Sequence, residues 1–239
     1  MNEIWIVLLV VMAAGLIQGL TGFGFGLFSV GLLILFMPIA DAVVIAAVMS
    51  LASSLLNMWS LRKELDWRDS RPLILAALPS TWAGIYLLKN LSPDLLQIGI
   101  VLMILGGCAA SLMSPHRAVI KRDLPWAYIA GFIGGLFGGA LNMGGPPAVL
   151  YALLRGWDKS RSKGLMVTYF VVTGLVRVGL FALTDVASIQ AWQLSVLALM
   201  PGLLAAYGGV LLFRRLSTQM FRYAAMAILV GIAAKILIS

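Results

Sequence analysis

The stretch Gly131-Phe-Ile-Gly-Gly-Leu-Phe-Gly-Gly-Ala-Leu-Asn142-Met-Gly-Gly-Pro-Pro147 constrains this chain more than any other. Its flanks are as apolar as a membrane helix, yet repeated glycines, an amide and paired prolines are poor material for one smooth span. It reads as a helix broken at depth. In hydrocarbon a break strands backbone N–H and C=O groups, so it survives only where protein or a hydrated cavity satisfies them. A weaker relative lies near the start, Gly15-Leu-Ile-Gln18-Gly19-Leu-Thr21-Gly22-Phe-Gly24-Phe-Gly26. One break in each half points to a duplicated transporter.

Composition sets the class. With 62% hydrophobic residues, 11% charged and a mean hydropathy of +1.02, the chain is an all-α integral membrane protein. Its net charge of +8 resides in short loops between apolar runs, where Lys and Arg set topology, and nucleic acid is not an expected partner. Cys108, the only cysteine, lies within an apolar run, so one chain builds neither a disulfide nor a cysteine metal site. No metal or cofactor is expected. The run from Met1 to Thr21 carries Glu3 where a secretion signal has basic residues, and is read as mature structure. There is no HExxH, no Gly-x-Ser-x-Gly and no carboxylate pair at membrane depth, so an enzyme is not expected. His116, the lone histidine, is a loop residue, and most of the tryptophans suit interfacial anchors.

Apolar runs are expected over Ile4–Leu20, Leu27–Phe36, Asp41–Leu61, Pro72–Lys89, Asp94–Met113, Pro125–Phe137, Ala148–Leu154, Leu165–Leu183, Ala191–Phe213 and Met220–Ile238. The basic loops Arg62–Arg71, His116–Arg122 and Arg155–Lys163 mark the cytoplasmic side. Both termini then lie in the periplasm, and the two halves enter the membrane from opposite faces. The architecture predicted is two inverted-topology repeats, residues 1–113 and 125–239, joined by a cytoplasmic linker, 114–124. Each repeat is a broken helical hairpin plus three transmembrane helices, about eight to ten helical segments in all. The halves also match locally: Gly84-Ile-Tyr-Leu-Leu-Lys-Asn-Leu-Ser92 with Gly209-Val-Leu-Leu-Phe-Arg-Arg-Leu-Ser217, Pro79 with Pro201, and Gly15, Gly19 and Gly22 with Gly131, Gly135 and Gly138 at one constant spacing.

The candidate substrate residues follow from the breaks. Asn142, Gly144, Gly145 and Pro146 would form a helix start whose N–H groups attract an anion, with Gln18, Thr21, Gly22 and Gly24 as their first-half counterparts. The competing role for the outer glycines is close helix packing through small-xxx-small spacing. Ser50, Ser53, Ser54 and Asn57 form one polar stripe that suits either a pathway or gate, or interhelical hydrogen bonds. Tyr169, Thr173 and Arg177 make a second stripe, in which Arg177 either grips an oxyanion or snorkels to the nearby interface. Asp41, Asp185 and Glu3 sit at the ends of runs and offer no obvious proton carrier.

The first-half glycine break, the Gly134–Pro147 segment and the proline-then-glycine helices closing each half together resemble the TauE/SafE family over nearly the whole chain. The resemblance implies a secondary transporter of the bacterial inner membrane, in most members an exporter, for small sulfur-containing anions such as sulfite, sulfoacetate or related sulfonates. Phe23 and Phe25 stand where many relatives look richer in glycine. A permease for another small organic anion and a non-transporting assembly subunit are the alternatives. A homo-oligomer is compatible with either.

Overall fold

The computed structural model describes residues 2–60, 67–112, 120, 124–157, 159–212 and 234. Among these are nine helices and no strand: α1 (Asn2–Thr21), α2 (Phe25–Leu33), α3 (Ile39–Ser60), α4 (Trp67–Asn90), α5 (Pro93–Leu112), α6 (Trp126–Leu141), α7 (Gly145–Leu154), α8 (Lys159–Leu183) and α9 (Ile189–Leu212). Among the described residues α1, α3, α4, α8 and α9 are long and apolar enough to cross a membrane. The chain is a multi-pass membrane protein. By contrast α2 and α7, of 9 and 10 residues, reach only about half the hydrocarbon thickness. All of the expected run Met220–Ile238 but residue 234, and most of the linker 114–124, lie outside the described residues.

The second-half break is far shorter than the glycine content suggests. Helix α6 continues through Gly131, Gly134, Gly135, Gly138 and Gly139, and only Asn142–Gly144 interrupts the path into α7. Helical glycine costs up to about 1 kcal/mol relative to alanine, and the close approach of another helix offsets that cost. A Cβ on Gly131 would strike the backbone of Leu73, one on Gly135 would strike Ala77 and Ser80, and one on Gly139 the carbonyl of Thr81. Helix α6 therefore lies directly on α4, and these glycines are packing residues. Helix α1 uses Gly15 and Gly19 in the same way, against Gly202 and Ala206 of α9. The contact is reciprocated, since Gly84 of α4 abuts Leu136 and Ala140, and Gly209 of α9 abuts Leu16 and Gly19.

These contacts also set direction. Residues advance together along α1 and α9, and along α6 and α4, so each pair is parallel. Arg161 grips Asp69 through Nε (2.6 Å) and Nη2 (2.9 Å), joining the starts of α8 and α4. At the far end Lys89 Nζ donates to the Thr184 carbonyl (2.7 Å), while Asp41 accepts from the Ser188 N–H (2.8 Å) and hydroxyl (2.9 Å). Helices α4 and α9 thus run in opposite senses, and so do α1 and α6. The helix ends pair Thr21 with Leu141 and Phe25 with Gly145, which sets Gly15 and Gly19 opposite Gly135 and Gly139. That register replaces the pairing read from glycine spacing, where Gly15 matched Gly131. It differs because the glycines before the second break repeat closely enough to fit more than one alignment.

Each long hairpin arm therefore packs on the proline-containing helix of the opposite half. Both of those helices continue past their prolines, Pro79 and Pro201. The outward faces carry exposed Trp5, Leu9, Trp59, Leu75, Trp82, Met200 and Leu204, a surface suited to lipid rather than water.

Candidate functional site

The first break is a glycine turn fastened by a threonine. Gly22 and Gly24 adopt φ of 82° and 93°, which only glycine takes without cost, and the Gly22 N–H donates to the Gln18 carbonyl (2.8 Å). The Thr21 hydroxyl lies within donating distance of the Ile17 (2.8 Å) and Phe23 (2.6 Å) carbonyls, and the Phe23 N–H approaches it at 3.3 Å. The second break turns at Asn142, which is left-handed at φ 56°. Its N–H donates to the Gly138 carbonyl (2.9 Å), the bond of an αL helix end, and that of Met143 donates to Phe137 (3.1 Å).

Two short helices start where two long ones end, and no side chain caps either start. In the first turn of α7 Pro146 and Pro147 have no N–H, which leaves Gly145 as the donor. Helix α2 has no such loss: Phe25, Gly26 and Leu27 all carry N–H groups without an intrahelical acceptor. The sequence points to helix-start donors in the second half; the richer set belongs to the first.

The breaks touch. A Cβ on Gly26 would overlap the Asn142 carbonyl, while one on Gly145 would meet the Phe170 ring at 3.4 Å and that of Phe23 at 3.5 Å. Between them is a small, partly open cavity reached by Gln18, Gly24, Gly26, Ser50, Asn142 and Gly145 and walled by Phe23 and Phe170. Asn142 is only 6% exposed, and neither Oδ1 nor Nδ2 has a hydrogen-bond partner. The Gln18 Oε1 is likewise unpartnered, although its Nε2 donates to the Ser54 hydroxyl (2.8 Å) and Ser50 carbonyl (3.3 Å). Buried amides are nearly always satisfied, so unmatched ones beside a cavity are available to hydrogen-bond a water or a ligand.

The family model described as sulfite exporter TauE/SafE matches residues 7–236. The chain belongs to the TauE/SafE family. No curated protein matches it significantly. Membership makes this a membrane transporter of the sulfite-exporter type and gives the cavity a context, the crossing point of two interrupted helices in a TauE/SafE transporter.

Helix α8 supports that crossing from behind. Arg177 is 2% exposed, and its Nη1 donates to the Gly138 carbonyl (3.1 Å) in the last turn of α6. It does not snorkel. Tyr169 is buried with its hydroxyl against Gly134 and Gly144, and the Thr173 hydroxyl returns to the Tyr169 carbonyl (2.7 Å). Of the α3 stripe, Ser50 reaches the cavity, Ser54 holds Gln18, and Asn57 donates to the Ser53 carbonyl (2.9 Å). Thus Gln18, Gly24, Ser50, Asn142 and Gly145 gather at the cavity. Thr21, Gly22, Gly144, Pro146, Tyr169, Thr173, Arg177, Ser53, Ser54 and Asn57 do not line it.

Sequence reasoning missed Lys163. Read as the last residue of a basic loop, it lies within α8, 5% exposed, with Nζ donating to the Gly19 carbonyl (3.1 Å) and its methylenes against Gly22. A signal was available: Lys163, Phe170 and Arg177 stand at i, i+7 and i+14, one stripe of a helix.

Proposed function

We propose that this TauE/SafE member is an alternating-access exporter of sulfite or a small organosulfonate across the bacterial inner membrane, with the anion held where the two breaks meet. The observation that carries the reading is the buried, unpartnered Asn142 amide beside two uncapped helix starts. Electrostatics favours it. The ends of α1 and α6 carry the negative pole of the helix dipole, which would repel an anion, and Lys163 and Arg177 offset both poles by bonding their last-turn carbonyls. The starts of α2 and α7 keep their positive poles.

Opposed directions of α1 and α6 support two inverted repeats, and the basic loops support a cytoplasmic placement of the α8 start with both termini periplasmic. The moving bodies are not the sequence halves 1–113 and 125–239 taken whole. The glycine contacts bind the first hairpin to α9 and the second to α4, so each hairpin travels with a helix of the other half. Rocking these bodies about α3 and α8 exposes the crossing point to each side in turn.

Purified protein in liposomes tests the reading by counterflow with sulfite, sulfoacetate, isethionate, taurine and thiosulfate. Saturable exchange of at least one sulfur oxyanion is expected, and exchange of carboxylates alone, or of none, contradicts it. Gly145→Ala adds a sharper check, because the new methyl fits at van der Waals distance between Phe23 and Phe170. The variant is expected to melt within about 1 kcal/mol of wild type while exchanging substrate several-fold more slowly.

A further inference from the structure

Lys163, Phe170 and Arg177 lie along one face of α8, successive members drifting only about 20° around the axis and roughly 10 Å apart along it. The middle member is a wall of the cavity. The outer two are buried cations, and each holds the end of a different hairpin arm, Lys163 that of α1 and Arg177 that of α6. The two arms run in opposite directions, so the cations stand on opposite sides of the crossing point: Lys163 toward the side where α8 meets α4 through Arg161 and Asp69, Arg177 toward the side of Lys89 and Thr184.

We infer that Lys163 and Arg177 are side-specific receiving charges, each drawing the anion into the site from its own face of the membrane. The inference rests on the anion-transport reading and adds to it an assignment of sides. On the closed side each cation stays offset by the helix end it holds; on the open side, released from it, a charge about 10 Å from the cavity at an effective dielectric near 20 attracts an anion by about tenfold in occupancy. When the body carrying α1 swings away, Lys163 gives up the Gly19 carbonyl and takes an oxyanion oxygen in its place. Arg177 does the same with Gly138 on the opposite stroke, and its Nε already lacks a partner. The Phe170 ring between them offers no hydrogen bond and lets the anion pass without a deep trap. Lys163 is thus a specificity residue for loading from the α8-start side, beyond its part in closing α1.

Initial uptake of radiolabelled sulfite into membrane vesicles of the two orientations separates these roles. Lys163→Gln is expected to raise the half-saturation about tenfold on the face where α8 begins and by less than about twofold on the other, with Lys163→Arg restoring it. Arg177→Gln is expected to show the mirror image. Equal shifts on both faces, or a fall in maximal rate alone, would overturn the inference and leave Lys163 a structural cap. Should Lys163→Gln be lost in folding, Lys163→Cys in a Cys108→Ala background decides. Aminoethyl methanethiosulfonate restores the charge and must restore half-saturation on the α8-start face, whereas a neutral methyl reagent must not; the same response to both reagents overturns the inference. Wild-type vesicles that move no sulfur oxyanion would bring down the functional reading itself, a result distinct from a symmetric Lys163 effect.

Discussion

Asn142→Gly is expected to raise the half-saturation for the transported anion by about ten- to hundredfold while the protein still folds and inserts. The amide is buried with both polar atoms unmatched, and a hydrogen bond from such a group to a charged ligand is worth about 1.5–3 kcal/mol. Glycine is the informative replacement. Asn142 sits at φ 56°, where alanine would add a backbone penalty of about 1–2 kcal/mol and confuse binding with stability. Glycine accepts that conformation freely, so the N–H bonds to Gly138 and Phe137 that close α6 persist. Asn142→Asp should be more severe, because a carboxylate there repels the anion. Counterflow kinetics beside thermal melting in detergent reads both quantities, and unchanged half-saturation in the glycine variant would remove Asn142 from the site.

Gly26→Ala is expected to abolish transport and to destabilise the protein by at least about 2 kcal/mol. The added Cβ would overlap the Asn142 carbonyl and come within 2.8 Å of its carbon and 3.2 Å of its Nδ2. Backbone does not yield as a flexible side chain does, and this backbone is fastened to Gly138, which Arg177 also holds. The two breaks would have to separate, scattering the donors that face the cavity. Gly106→Ala on α5 is the matched control, since its Cβ meets nothing within 4 Å and alanine is the better helix former. Gly106→Ala is expected to transport as wild type does, with equal or higher stability.

How much of this was legible in the chain varied with the physics involved. The membrane class, two breaks and most helices followed from apolar run length and from residues that cannot continue a helix, both local properties. The first-turn donors followed less well, because the eye goes to Asn-Met-Gly-Gly-Pro-Pro, and those prolines remove the N–H groups a helix start would supply. Glycine misled in the other direction. Gly131, Gly135 and Gly139 suggested a long interruption, yet they pack α6 on α4, a role visible only once Leu73, Ala77 and Thr81 are known to lie opposite. Lys163 was hidden because a lysine ending a basic loop and a lysine opening a buried helix face look alike until the helix start is known. Arg177 was flagged by its position in an apolar run, but its partner, a main-chain carbonyl of α6, has no sequence signature.

The most direct test of the crossing-point site is to locate the anion itself. Selenite mimics sulfite in shape and charge, and anomalous diffraction at the selenium edge from crystals soaked in it places the ligand independently of any functional assay. The account predicts one dominant selenium peak between Phe23 and Phe170, with oxygens in hydrogen-bond reach of Asn142 Nδ2 and the Gly145 and Gly26 N–H groups. A peak resting on Arg177 or Lys163 with the Asn142 amide untouched, or an empty crossing point at saturating selenite, would contradict it.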